Sequence, residues 1–118
     1  MAVGGAGLIG SHTVDALLRE GVAEIVVFDN FARGSTENLE QALNDPRLVV
    51  AEGDIGDPAA LRNAFSGADG VFHFAALWLR HCYEHPREGF DVNVAGMFNV
   101  LEACRDAGVG RLVFSSSA

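Results

Sequence analysis

Short apolar runs alternate along this chain with longer stretches in which apolar residues recur every three or four positions. The runs at residues 25–28, 48–51, 70–74 and 111–115 are too continuous for the in-out alternation of a half-exposed strand. They predict strands buried on both faces of a parallel sheet. Between them, residues 8–20 predict a helix with Ile9, Val14, Ala16 and Leu17 turned inward, and residues 58–65 a second behind Asp57 as N-cap. A long helix is expected over residues 86–105, where Phe90, Val94, Met97, Phe98 and Leu101 fall at i, i+4, i+7, i+8 and i+11 and Gly108 follows the end. A weaker helix over residues 37–43 stops before Pro46.

Strands that alternate with helices through right-handed crossovers make an α/β, doubly wound parallel sheet. Five strands in the order 3-2-1-4-5 are expected. Both ends look cut. Only Met1, Ala2 and Val3 are available for a first strand, and the sequence stops at Ala118 directly after a strand. Residues 1–118 therefore read as one incomplete nucleotide-binding domain, truncated at both ends and lacking a C-terminal catalytic and substrate part.

Composition narrows the function classes. A chain of 118 residues, 49% hydrophobic, builds one core and is too short for two. Its 16 acidic against 8 basic residues leave a net charge of -8, which repels phosphate backbones and anionic lipid, so neither nucleic acid nor membrane is expected as a partner. No apolar run approaches the roughly 20 residues of a spanning helix, and no basic segment followed by a long apolar one opens the chain. The two cysteines, Cys82 and Cys104, form no C-x-x-C pair, and a reducing, cytoplasmic setting is expected.

The chemistry concentrates in Gly4-Gly5-Ala6-Gly7-Leu8-Ile9-Gly10, which holds G-x-G-x-x-G and G-x-x-G-x-x-G in overlapping register. It follows an apolar start and opens an amphipathic helix, the setting in which glycines let backbone approach a pyrophosphate and a helix N-terminus offers N–H groups to it. Asp29 stands 19 residues after Gly10 at the end of an apolar run, where a carboxylate accepts from ribose hydroxyls. That charge favours NAD over NADP, although Arg33 could partly offset it.

These residues resemble the extended short-chain dehydrogenase/reductases, and within them the NAD-dependent epimerase/dehydratase group to which UDP-glucose 4-epimerase belongs. The resemblance covers essentially the whole chain. It rests on the segment from Gly4 to His12, on Gly53-Asp54-Ile55, on His73-Phe74-Ala75-Ala76-Leu77 and on Asn93-Val94-Ala95-Gly96. Phe114-Ser115-Ser116-Ser117-Ala118 is similar to the segment that carries the family's catalytic serine or threonine. The resemblance implies a Rossmann-type domain with NAD as cofactor. It implies Gly4, Gly7, Leu8, Ile9 and Gly10 at the pyrophosphate, Asp29 and Asn30 on the adenosine ribose, and Asp54 and Ile55 beside the adenine. Phe74, Ala75, Ala76 and Leu77 would line the cofactor's second half, Asn93 would hold the helix and water structure near the active site, and Ser117 would bond the reacting sugar oxygen. A nucleotide-sugar substrate is implied for the full-length enzyme, and a homodimer built from two helices per subunit.

The family's Tyr-x-x-x-Lys pair is not among these residues. The only tyrosine is Tyr83, four positions before Arg87, and no lysine occurs. His81, Cys82 and His85 invite a metal reading, but no third firm ligand is near, so no metal is expected and the stretch reads as a loop before Pro86. His73 reads as a hydrogen-bonded structural histidine. Trp78 suits equally packing over the cofactor edge and a wall of the sugar pocket. Besides the epimerase or dehydratase reading, a non-catalytic dinucleotide-binding module and a family member reducing a non-sugar carbonyl share every motif present.

Overall fold

The computed structural model describes residues 1–116. Strand β1 (Ala2–Val3) leads through the glycine loop into helix α1 (Leu8–Arg19), then β2 (Ile25–Asp29), two short 3-10 turns (Thr36–Leu39 and Ala42–Asn44), β3 (Leu48–Glu52), α2 (Pro58–Ala64) and β4 (Gly70–His73). Helices α3 (Leu79–Glu84) and α4 (Pro86–Phe90), a π-helical segment (Asp91–Gly96), α5 (Met97–Ala107) and β5 (Arg111–Phe114) complete the order. All strand pairs are parallel, in the order β3-β2-β1-β4-β5. The chain reverses direction across the sheet at β1, so the ends of β1, β2 and β4 diverge there into a crevice.

Local chemistry accounts for the boundaries. Asp57 caps α2 by accepting from Ala59 N–H at 2.8 Å and Ala60 N–H at 3.1 Å, with Pro58 at the first helical position where its missing donor costs nothing. Gly108 ends α5 in the left-handed conformation. One core lies between the sheet and α2/α5, joining Val3, Phe28, Val71, Leu61, Phe65, Val100 and Ala103; a second, on the α1 side, joins Ala2, Ala6, Val27, Val14, Leu18 and Leu39.

Several expectations change. The apolar stripe on the long helix points outward: Phe90, Val94, Phe98 and Leu101 are all exposed. The helix turns small residues to the sheet instead. A Cβ on Gly96 would stand 2.6 Å from Ile55 Cδ1, so close approach, and not a large apolar face, sets the seam. Ile9 is likewise 63% exposed, and Leu18 takes the inward place. Residues 37–43 form 3-10 turns, residues 79–84 are helical, and the residue 86–105 helix is broken by its π segment. Strands β3 and β5 lie at the sheet edges with Val49, Val50, Val113 and Phe114 exposed, so only the central strands have both faces covered. No described helix is long and apolar enough to cross a membrane.

Candidate functional site

A crevice of about 470 Å³ opens where the strands end. That is within the ~300–1,000 Å³ of small-molecule sites. Gly4, Gly7, Leu8, Ile9 and Gly10 form its floor, Asp29, Asn30, Asp54 and Ile55 one end, and Phe74, Ala75, Ala76 and Leu77 the opposite wall. Segments far apart in sequence are brought together there.

The glycines divide into two kinds. A Cβ on Gly10 would lie 2.3 Å from the Gly4 carbonyl, and one on Gly4, whose φ is +75°, would lie 2.5 Å from Ala75 N. Both are required by the protein's own packing. At Gly7 a Cβ would meet only the Gly4 carbonyl, at 3.4 Å, and the residue faces the crevice. Its lack of a side chain leaves room for something outside the chain to reach the backbone. The first bond of α1 is Ser11 N–H to Gly7 O at 2.9 Å, so Leu8, Ile9 and Gly10 keep N–H groups without an acceptor in the helix, and no acidic residue occupies its first turn. These features fit the diphosphate of a dinucleotide.

Asp29 does more than line the crevice. Its Oδ2 accepts from Ala6 N–H and its Oδ1 from Phe31 N–H, both at 2.9 Å, with the residue 8% exposed. One carboxylate thus ties the glycine loop to the end of β2 and supports Phe31 in a left-handed backbone (φ 55°). Each oxygen retains accepting capacity for a ribose hydroxyl. Asn30 Nδ2 donates to Asp54 Oδ2, and Asp54 Oδ1 accepts from Gly56 N–H at 2.7 Å, which orders the end beside Ile55.

Asn93 does not line the crevice. Its Oδ1 accepts from Leu77 N–H at 2.7 Å, and its Nδ2 donates to Leu77 O at 2.9 Å and to Cys82 Sγ at 3.4 Å, so it fixes the wall from behind. The π segment carries it. His73 is 1% exposed, its ring centre 5.6 Å from that of Phe114, and its Nδ1 has no partner among the described residues, against the expectation of a hydrogen-bonded structural histidine. Burial pushes its pKa down to about 4. His81 Nε2 pairs with Glu88 Oε2 at 2.7 Å, and no metal-holding cluster exists among the described residues. Ser115 reaches the crevice. Ser117 lies outside the described residues.

Sequence reasoning did not single out Asn38 or Gly34, which also line the crevice. Asn38 Nδ2 donates to Ala6 O at 2.8 Å, and Ser35 N–H donates to the same oxygen at 3.1 Å. No periodicity marks them, because their role is a tertiary bond from a loop.

The sequence matches the family described as NAD dependent epimerase/dehydratase over residues 1–118. It is 41% identical over 98% of its length to a UDP-glucose 4-epimerase of Lacticaseibacillus casei, covering 34% of that protein. The fold is similar to the UDP-glucose 4-epimerase of Thermus thermophilus in complex with NAD (TM-score 0.88, 39% identity, 98% of this chain and 36% of that one). It is also similar to a dTDP-glucose 4,6-dehydratase from Streptomyces venezuelae with NAD bound (TM-score 0.89, 36% identity, 94% of this chain and 37% of that one). The chain spans about a third of the length of the relatives it matches. With the match running from the first residue to the last, this chain belongs to the NAD dependent epimerase/dehydratase family.

Proposed function

We propose that the chain is the NAD-binding portion of an epimerase or dehydratase acting on a UDP- or other nucleoside-diphosphate sugar. The observation that carries this is Gly7: a glycine the fold does not need, set in the crevice beside the free N–H groups of α1. The diphosphate would rest on Leu8, Ile9 and Gly10, the adenosine ribose on Asp29 and Asn30, and the adenine on Asp54 and Ile55. Residues 74–77, steadied by Asn93, would face the nicotinamide half. The bound dinucleotide would supply a hydride acceptor and donor. Ser117 would hydrogen-bond the sugar oxygen at the reacting carbon. The proton of that hydroxyl needs a base, and Tyr83, 87% exposed on α3, stands away from the crevice.

The family membership and the relatives that are NAD complexes support this reading. Titration with both cofactors tests it: NAD should bind at least about tenfold tighter than NADP, or ~1.4 kcal/mol, because a 2′-phosphate would meet Asp29. Absence of NAD binding overturns the reading, and equal affinities would transfer control to Arg33. Two free cysteines, one of them buried, accord with a cytoplasmic setting. The outward stripe of Phe90, Val94, Phe98 and Leu101 supports a homodimer formed through this helix. Sedimentation that finds only monomer at high concentration would remove it.

A further inference from the structure

Arg33 is the only basic side chain lining the crevice among the described residues, and its guanidinium carbon lies 5.1 Å from the centre of the Trp78 ring. The two residues belong to different walls. Arg33 precedes Gly34, which is pressed so closely on the glycine loop that a Cβ there would stand 2.8 Å from Ala6 backbone. Trp78 follows the wall whose Ala75 is pressed on Gly4. Both loops are therefore seated on the glycine loop, and their side chains meet, Arg33 from the crevice lining and Trp78 from just beyond Leu77.

Neither residue is needed by the core: both are exposed, Trp78 by 50%. Nor is Arg33 neutralised, since the ion pairs among the described residues involve Arg47, Arg80, His81 and Arg105. A guanidinium placed over an indole is attracted to the ring face while its N–H donors stay available to a ligand. The same crevice carries Asp29 and Asp54, so an anionic ligand meets two negative charges and this one positive group.

We propose that Arg33, held in place by Trp78, binds the diphosphate of the dinucleotide from the side opposite the α1 N-terminus, so that the pair closes over it as a clasp. This rests on the NAD reading above and deepens it. Binding is measured by emission of Trp78, the chain's sole tryptophan, and by calorimetry for its variants, with NAD, ADP-ribose and adenosine as probes. Arg33→Gln should weaken NAD and ADP-ribose by about tenfold and flatten their salt dependence, while adenosine stays within about twofold. Arg33→Lys should recover part of the loss. Trp78→Leu should weaken the two diphosphates by about threefold and Trp78→Phe restore them, because the ring positions the cation without touching the ligand. Unchanged NAD binding in Arg33→Gln, or an equal loss for adenosine, overturns the clasp alone. A wild-type protein that binds none of the three probes overturns the cofactor reading, and the clasp with it.

Discussion

The two walls of the crevice are held in opposite ways. On the β2 side, Ala6 is gripped by both of its backbone groups, its N–H by Asp29 and its carbonyl by Ser35 and Asn38, while Asn30 bridges Asp54 and the Ala32 N–H. On the β4 side, the wall after Phe74 depends on the amide of Asn93, and the buried Nδ1 of His73 just before it is unpaired among the described residues. A wall braced by several independent bonds keeps its shape without a ligand. One braced mainly by the two amide bonds of Asn93, with a weaker one from the Cys82 thiol to Leu77 O, depends more on one residue, and the cost of each defect falls differently on the two sides.

The largest expected effect breaks the braced side. Gly10→Ala places a Cβ 2.3 Å from Gly4 O and 2.7 Å from Gly5 Cα, so the loop must move as a unit. Stability should fall by about 3 kcal/mol or more in urea unfolding, and NAD binding should vanish. Gly7→Ala is the contrast: its backbone (φ -74°, ψ 172°) suits alanine and its Cβ meets only ordinary contact. Stability should stay within about 0.5 kcal/mol while NAD binding weakens by about tenfold. Equal damage to stability from the two changes would show that Gly7 is structural.

His73 sharpens the other side through pH. Its imidazole is kept neutral by burial, with a pKa of about 4 against an ordinary 6.5. As pH falls from 6.5 towards 4, the unfolded chain takes up a proton that the folded chain refuses. Stability should therefore drop through that window and level off below it, by at most about 3 kcal/mol. Urea unfolding of wild type and His73→Gln across the window isolates the contribution, because the variant lacks it; parallel curves would refute it.

A smaller loss of stability tests the Asn93 brace. Asn93→Ala leaves the Leu77 N–H without its acceptor and Leu77 O with only the Cys82 thiol as donor, and should cost about 2 kcal/mol. NAD affinity should fall while adenosine affinity holds, since the braced wall does not depend on Asn93. A matched loss for both probes in titration would show that the two walls are coupled.

What the sequence made legible follows from how local each cause is. The Asp57 cap, the glycine spacing and the apolar runs of β2 and β4 act within a few residues, and each stands where its pattern placed it. The five-strand order follows from alternation and crossover handedness. The outward stripe from Phe90 to Leu101 was not legible as such. Periodicity shows that a helix has an apolar face but not what covers it, and here Gly96, Val100 and Ala103 make the inner seam. Helix α3 escaped because its residues bury nothing. The bonds from Asn38 to Ala6 and from Asn93 to Leu77 join positions 32 and 16 residues apart, and no spacing rule reaches that far.

The grip on Ala6 also orders events in time. The glycine loop lies within residues 4–10, yet the groups that hold Ala6 at its centre come from positions 29, 35 and 38. The nascent loop can sample its shape early but cannot keep it until β2 has docked beside β1 and the chain has turned back through residues 30–38. Closing that span costs entropy before any bond repays it, so the glycine loop gains its final shape only with the docking of β2, although its residues precede that strand in the chain.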